Sequence, residues 1–257
     1  MTMTSQSIAE PVKPALDRDT ATRLAGTEYR RFLDLLRSLD AADWAKPTEC
    51  AGWDVRAVAA HLLGMVEMAA SVREQARQNK LARTRSERHG RLFIDALTGL
   101  QVDERAAMSP QQIVERFAAR APKAVKGRRR APGFIRRRPL PVPQHVQGRE
   151  ETWTLGYLLD VVLTRDPWMH RVSIARATGV PLVLTPEHDG VLVADVVAEW
   201  ANRHGRPFSL RLTGPAGGRW SRGAAGPEIE MDTVEFCRLL SGRGGTNDGV
   251  LNTQVPF

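Results

Sequence analysis

The chain has 257 residues, enough for one large domain or two modest ones with hydrophobic cores. Apolar residues make up 42% of the sequence and charged residues 26%, which excludes an intrinsically disordered protein. No apolar stretch reaches the roughly 18 residues of a membrane span, and no signal-peptide pattern precedes residue 20. Cys50 and Cys237 are too few for a disulfide framework, so we expect a protein of the reducing cytoplasm.

The net charge of +8 comes from one segment of the chain. Eight basic residues with no acid among them account for it: Lys123, Lys126, Arg128, Arg129, Arg130, Arg136, Arg137 and Arg138. Because prolines and glycines interrupt the charges, the segment predicts a solvated, Pro-rich basic loop at residues 122–150. Attraction of anionic ligands is an alternative. Nucleic-acid binding is less favoured, because Phe134 is the only aromatic residue among these charges.

Hydrophobic spacing predicts a helical bundle over residues 19–182, after a flexible tail at residues 1–18. The predicted helices cover residues 19–39, 53–72 with a polar continuation to 88, 91–99, 109–121 and 152–178. Asp54 and Ser109 are favourable N-caps, and Pro110 suits a first helical position. Gly179 ends the last of these helices.

The pattern changes near residue 182. A helix at 190–202 is followed by short strands at 208–213, 219–222 and 228–231, and then by a final helix at 232–240. We therefore predict a small α+β domain with an antiparallel sheet at residues 183–257.

Three polar residues extend the apolar faces of two predicted helices. His61 lies at the edge of the stripe that contains Val58 and Met65, while Asp166 and His170 are one helical turn apart. A carboxylate buried in a bundle is costly unless it is paired or binds a metal. Two imidazoles and one carboxylate would bind zinc and leave a fourth position open, although the same set also suits Fe(II).

Structural alternatives remain for each of these residues. His61 alone could be a core histidine with satisfied hydrogen bonds, and Asp166 before Pro167 could be an N-cap whose carboxylate binds backbone N–H groups. The other histidines lie in polar contexts and are predicted to be on the surface: His89, His145, His188 and His204.

Two motifs carry a family resemblance. Residues 48–62 read TECAGWDVRAVAAHL, and residues 164–172 read TRDPWMHRV, followed by Ala-Thr-Gly at 177–179. Together with the terminal Val255-Pro256-Phe257, they resemble the mycothiol-dependent maleylpyruvate isomerase family over nearly the whole chain.

The resemblance implies a DinB-like four-helix bundle followed by a sterol-carrier-like C-terminal domain. It also implies a metal, expected to be Zn²⁺, bound by His61, Asp166 and His170. The family's isomerase has glutamate at the position of Asp166, and an aspartate is common at the position of Ser173. Both departures bear on the specific reaction more than on the fold.

The implied activity is that of an isomerase or thiol transferase that uses a low-molecular-weight thiol, mycothiol in an actinobacterial source, on a small electrophilic substrate. For a maleylpyruvate-type substrate, a thiolate would add to the cis double bond, and its expulsion after rotation would give the trans product. Arginines would hold the substrate carboxylates, with Arg165, Arg171, Arg219 and Arg222 as candidates by residue type.

Two other functions are compatible with the same residues. A zinc-dependent hydrolase would activate water instead of a thiol. A non-catalytic protein would bind a small molecule or use its metal for stability alone. We expect a monomer or small homo-oligomer in each case.

Overall fold

The chain forms a helical part followed by a small sheet in the structure, a computed structural model that describes residues 11–245 and 249–257. The first part contains α1 (Arg18–Ser38), α2 (Val55–Ala70), α3 (Val72–His89), α4 (Phe93–Asp103), α5 (Pro110–Arg130), α6 (Gly133–Arg136), β1 (Gln144–Val146), β2 (Arg149–Glu151), α7 (Leu155–Tyr157) and α8 (Leu163–Thr178). The second part contains α9 (Val191–His204), β3 (Phe208–Thr213), β4 (Gly218–Arg222), β5 (Glu228–Asp232) and α10 (Thr233–Leu240). Within the described residues, each helix is too short or too polar to cross a membrane. The predicted class, a helical domain with a smaller α+β part, is confirmed.

Helices α1, α2, α5 and α8 surround one hydrophobic core. Phe32 on α1, Leu62 on α2 and Phe117 on α5 are almost completely buried in it. Helices α3 and α4 pack outside α2. The predicted continuation of the second helix is wrong at Ser71, whose extended backbone ends α2 and whose hydroxyl accepts from Glu74 N to cap α3.

The predicted helix starts of α2 and α5 are confirmed by their caps. Asp54 Oδ1 accepts a hydrogen bond from Ala57 N at 2.7 Å. Ser109 and Gln112 exchange side-chain-to-backbone hydrogen bonds at the start of α5, forming a complete capping box. Each side chain satisfies an N–H group that has no partner within the first turn of its helix.

A second core lies between α8 and the C-terminal elements. Trp168 and Met169 of α8 pack in the same cluster as Trp200 of α9, Leu210 of β3 and Phe236 of α10. Since Ile174 of α8 belongs to the bundle core, α8 is shared by both cores. The domain boundary near residue 182 therefore stays a prediction.

The predicted antiparallel sheet is wrong in one pairing. The strand order is β4-β3-β5, with β3 antiparallel to β4 and parallel to β5. The connection from β4 to β5 crosses the start of β3, where a Cβ at Gly226 would overlap the backbone of Pro207. The sequence spacing located the strands but contained no signal for this crossover.

The predicted basic loop at residues 122–150 is also wrong over much of its length. Helix α5 continues through Pro122 to Arg130 because Ala121 and Ala124 bury their side chains against the bundle. Residues 144–151 form a hairpin whose turn places Gln147 and Gly148 at positive φ. The segment therefore belongs to the folded structure.

Two of the basic residues, Arg128 and Arg136, are buried and bind groups at or just before the start of α8. Pro167 has no N–H to donate to the Leu163 carbonyl within the helix. Arg128 Nη1 donates to that carbonyl at 3.0 Å instead. Arg136 forms a buried ion pair with Asp160, in the π-helical turn that precedes α8. The basic residues were predicted to be solvated, but these two bind groups that lie distant in sequence.

The N-terminal tail is anchored where the structure describes it. Residues 1–10 of the predicted flexible tail lie outside the described residues. Val12 N donates to Thr152 O at 2.8 Å, and Val12 O accepts from Thr154 N at 3.0 Å. These bonds attach residue 12 beside the start of α7, which the tail prediction did not anticipate.

Candidate metal centre

The three predicted ligands meet between α2 and α8. His61 and His170 are 3% and 4% exposed, so both imidazoles are removed from bulk solvent. Asp166 Oδ1 lies 3.2 Å from His170 Nε2, and Asp166 Oδ2 lies 3.7 Å from His61 Nε2. One ligand atom from each residue lies within 4.8 Å of the other two. The N-cap alternative for Asp166 is wrong, because the residue lies inside α8.

One carboxylate oxygen at this site has no hydrogen-bond partner among the described residues. Asp166 Oδ2 is buried, and its 3.7 Å separation from His61 Nε2 is too long for a hydrogen bond. A buried acceptor without a partner costs about 1–3 kcal/mol, and more when it is charged. A divalent cation would supply the missing interaction, and two imidazoles with one carboxylate are a donor set of open zinc sites. The residues present therefore fit a divalent metal.

Both imidazoles direct Nε2 towards Asp166 and Nδ1 away from it. His61 Nδ1 lies 2.8 Å from Gln101 Oε1, and His170 Nδ1 lies 3.6 Å from Cys50 Sγ. The Trp53 ring packs on both histidines, with centroid separations of 5.2 Å and 6.4 Å. Histidines that bind metals commonly have such an outer partner on the second ring nitrogen.

Cys50 reaches His170 because of a tight turn before α2. Trp53 N donates to Cys50 O at 2.9 Å, and Gly52 takes a φ of +77° that favours glycine. Burial would raise the pKa of the Cys50 thiol, but His170 and Arg243 outweigh this effect and lower the pKa to about 7. Cys50 and Trp53 both lie in the first motif, but neither was predicted to be a site residue.

Charged side chains attach this turn to α8 and to the C-terminal part. Arg238 of α10 and Arg176 of α8 both donate to the Glu49 carboxylate. Beyond α10, Arg243 Nη2 lies 3.9 Å from Cys50 Sγ. Arg243 is therefore a cation close to the candidate metal ligands. It lies about 70 residues after the second motif, where sequence spacing contains no signal for it.

The arginines predicted to hold substrate make their contacts elsewhere. Arg165 is buried against Asp195 and Glu199, so the prediction of a substrate-binding group is not supported by its contacts. Arg222 donates to Ala201 O and Asn202 Oδ1. Arg219 is exposed on β4. The arginines were expected either on the surface or at the substrate site. Arg165 and Arg222 instead form hydrogen bonds with residues outside the candidate metal centre.

A second group of side chains of the types that bind metals has carboxylates that form ion pairs with arginines. Glu28, His188 and Asp189 lie together in the interior. Arg171 donates to both carboxylates, and Arg31 also pairs with Asp189. This pairing explains why Arg171 is not at the metal centre and indicates a structural ion-pair network. The prediction of His188 as a surface residue is wrong, since it is 3% exposed and contacts Glu28 at 2.7 Å.

Contacts within α8 explain how serine is accommodated at position 173, where aspartate is common in the family. Ser173 is fully buried, and its hydroxyl donates to Met169 O at 3.0 Å. This bond back to the preceding turn satisfies the hydroxyl within α8. A carboxylate at the same position would need a partner that the backbone carbonyl does not provide.

A metal bound at this site would compete with a proton for the His170 imidazole. Burial would lower the pKa of His170, but the Asp166 carboxylate outweighs burial and raises the pKa to about 9. Burial would raise the pKa of Asp166, yet the two histidines hold it well below its usual range. In the metal-free protein, the pair thus contributes stability that is complete below the ordinary pKa of histidine and is lost as pH rises through about 9.

We expect zinc affinity to increase with pH up to about 9, because His170 must lose a proton to bind metal. Near neutral pH, binding should release about one proton from this group. Calorimetry in buffers of different ionisation enthalpy measures that release. An affinity that is constant across this pH range would contradict metal binding by His170.

Comparisons with known proteins identify relatives of this chain in sequence and in fold. The profile of the mycothiol maleylpyruvate isomerase N-terminal domain matches residues 25–175. Two uncharacterized proteins from two strains of Mycobacterium tuberculosis, MT0041 and Rv0036c, are each 26% identical over 223 residues, covering 81% of this chain and 79% of theirs.

The same fold occurs in two crystal structures, of mycothiol-dependent maleylpyruvate isomerase and of a histidine-to-alanine mutant of it. Their TM-scores are 0.55 and 0.54 at 16% and 17% identity, and they cover 89% of this chain and 90% of each structure. At this identity the likeness establishes the fold alone. The family profile spans more than half of the chain and includes His61, Asp166 and His170. The protein therefore belongs to the mycothiol maleylpyruvate isomerase family.

Proposed function

We propose that this protein is a metal-dependent enzyme that uses a low-molecular-weight thiol, mycothiol, for isomerisation or thiol transfer on a small electrophilic substrate. The observation that carries the proposal is the buried Asp166 Oδ2 without a hydrogen-bond partner among the described residues, facing the Nε2 atoms of two histidines. Family membership and the two isomerase structures of the same fold support the choice of thiol.

Zinc is the metal we propose for His61, Asp166 and His170. A bound cation of this kind lowers the pKa of a thiol beside it and so makes thiolate available near neutral pH. The protein's own groups keep the ligands in position. Gln101 and Cys50 contact the outer nitrogens of the two histidines, and Trp53 covers one side of both rings.

Arg243 is the group we propose for binding a carboxylate of the substrate. Its guanidinium lies beside Cys50, whose thiol contacts a candidate metal ligand. Arg165 and Arg171 are committed to buried carboxylates and cannot bind substrate without breaking those pairs. A dicarboxylic electrophile therefore fits the charge of the site.

Two departures from the family pattern bear on the choice of substrate. Asp166 is one methylene shorter than the glutamate that the resemblance implies, which changes how far a carboxylate extends from α8. Ser173 places no charge near the site. We propose a cytoplasmic location, which suits thiol chemistry and the free thiols of Cys50 and Cys237.

Thiol dependence tests this proposal. Zinc-loaded protein is incubated with maleylpyruvate and other small cis-dicarboxylic electrophiles, with and without mycothiol. We expect conversion only when both metal and thiol are present. Arg243→Met should raise KM for a dicarboxylate more than it lowers kcat.

The other outcomes separate the alternatives. Turnover that is independent of added thiol would contradict the proposal and identify a hydrolase. A metal-loaded protein without turnover in any mixture would indicate a binding protein. Arg211→Met, on the exposed face of β3, is the control for loss of one positive charge.

A further inference from the structure

We infer that Gln101 on α4 is a positioning residue that holds the proton of His61 on Nδ1 and leaves Nε2 free to bind metal. This inference rests on the proposed metal site. It adds a function for α4, which contributes none of the three ligands. A series of buried hydrogen bonds, whose directions depend on one another, connects Glu74, Gln78, Gln101 and His61.

The series begins with two groups that can only accept. Gln78 Nε2 lies 3.2 Å from Gly64 O and 2.8 Å from Glu74 Oε1. A carbonyl and a carboxylate have no proton to donate, so the Gln78 amide nitrogen must face them. Gln78 Oε1 therefore points the other way and accepts from Gln101 Nε2 at 2.9 Å.

The orientation of Gln101 follows from that of Gln78. With its amide nitrogen donating to Gln78, Gln101 must present Oε1 to His61 Nδ1, at 2.8 Å. The second N–H of Gln101 faces the sulfur of Met65 at 3.4 Å. Because Oε1 can only accept, the proton of a neutral His61 is on Nδ1, and the lone pair is on Nε2.

Burial makes this arrangement difficult to replace. Both glutamines are fully buried, so bulk water is not in contact with their amide groups to replace a lost partner. A reversed Gln101 amide would place a donor against the protonated Nδ1 and an acceptor against the acceptor of Gln78. Each unpaired group would then cost the free energy of its lost hydration.

A glycine in the middle of α2 makes room for Gln101. A Cβ at Gly64 would lie 2.6 Å from Gln101 Cγ and 2.7 Å from Gln101 Cβ. Glycine is the poorer helix former at such a position. Gly64 is one turn after His61, so the close approach of α4 occurs where the imidazole needs its partner.

Two variants of Gln101 test the inference. Gln101→Met removes the acceptor at similar volume, and we expect zinc binding to weaken about 10- to 100-fold. Gln101→Glu loses the donor to Gln78 Oε1 and should lower the folding stability, but it keeps an acceptor for Nδ1–H and should retain zinc binding close to that of the wild type. Gln111→Met, on the exposed face of α5, is the matched control. Competition with a chromophoric chelator measures the affinities.

A second measurement does not require metal. Nitrogen NMR of the metal-free protein, at a pH where His61 is neutral, distinguishes protonated Nδ1 from protonated Nε2. We expect protonated Nδ1 in the wild type and in Gln101→Glu, and a shift of the proton to Nε2 in Gln101→Met. A purely structural role of Gln101 would leave the tautomer unchanged.

Gly64→Ala tests the same contact without changing the glutamine. Its methyl group should displace Gln101 and weaken zinc binding, although alanine is the better helix former. Wild-type zinc affinity and an unchanged His61 tautomer in both Gln101→Met and Gly64→Ala would overturn the inference. Failure of the wild type to bind any divalent metal would instead overturn the proposed function, while the tautomer measurement would still decide the role of Gln101.

Discussion

Replacing His170 with alanine is expected to abolish stable zinc binding and, with it, thiol-dependent turnover. The substitution removes one of the three candidate ligands, and only His61 and Asp166 remain. Loss of an outer partner of a metal ligand already weakens affinity about 10- to 100-fold, and loss of the ligand itself should exceed this range. Equilibrium dialysis against zinc, followed by elemental analysis, measures the change.

A matched substitution controls for nonspecific binding to imidazoles. His89 is exposed at the end of α3, so His89→Ala should bind the same amount of zinc as the wild type. Retention of one tightly bound zinc by His170→Ala, at the affinity of His89→Ala, would contradict the assignment of this ligand. The comparison needs no knowledge of the substrate.

Replacing Glu28 with alanine is expected to lower the free energy of unfolding by about 3–5 kcal/mol, because it leaves buried charge without its partner. Glu28 is completely buried on α1 and binds both Arg171 and His188. These bonds attach the segment around Asp189, which precedes α9, to the bundle. Urea denaturation monitored by circular dichroism measures the loss.

An exposed ion pair provides the comparison for Glu28. Glu230 pairs with Arg211 on the outer face of the sheet, where both side chains are more than half exposed. Glu230→Ala should therefore cost less than about 1 kcal/mol. Equal losses for Glu28→Ala and Glu230→Ala would contradict the structural role of the buried network.

The same network predicts a pH dependence. Burial would raise the pKa of Glu28, but Arg171 and His188 lower it below its ordinary value. A lowered pKa contributes stability above the ordinary pKa of glutamate, and this contribution is lost as pH falls through the folded-state value. The stability difference between wild type and Glu28→Ala should accordingly shrink in acid.

Local patterns in the sequence were sufficient to predict the helices and the pairing of two of the candidate ligands. The caps at Asp54 and Ser109 depend on residues within one turn, and the stripe beside His61 depends on steps of three and four. The pair Asp166 and His170 lies on one helix. Spacing allowed their convergence with His61 and also allowed an N-cap at Asp166, and the family resemblance favoured the convergence.

Long-range contacts explain what the sequence left undetermined. The basic segment looked solvated, but Arg128 is buried because Pro167 leaves the Leu163 carbonyl without its helical donor. His188 and Arg171 are buried because Glu28 lies opposite them across the fold. A local sequence pattern does not indicate which distant residue will form each of these hydrogen bonds.

The contacts of residues around the candidate metal centre could not be predicted from the sequence either. Gln101 has apolar neighbours in the sequence of α4, and nothing in that pattern indicates its contact with His61. Arg243 follows α10 and reaches Cys50 through the packing of the two parts of the chain. A sequence alone has no spacing that connects positions about 190 residues apart.

The proposed function depends on the binding of one divalent metal by His61, Asp166 and His170, and X-ray absorption at the zinc edge of the purified wild-type protein shows whether this binding occurs. We expect nitrogen and oxygen ligands at about 2.0–2.1 Å, with the multiple-scattering signature of two imidazoles. A zinc–sulfur distance of about 2.3 Å in protein free of added thiol, or zinc surrounded by water alone, would contradict the proposed binding.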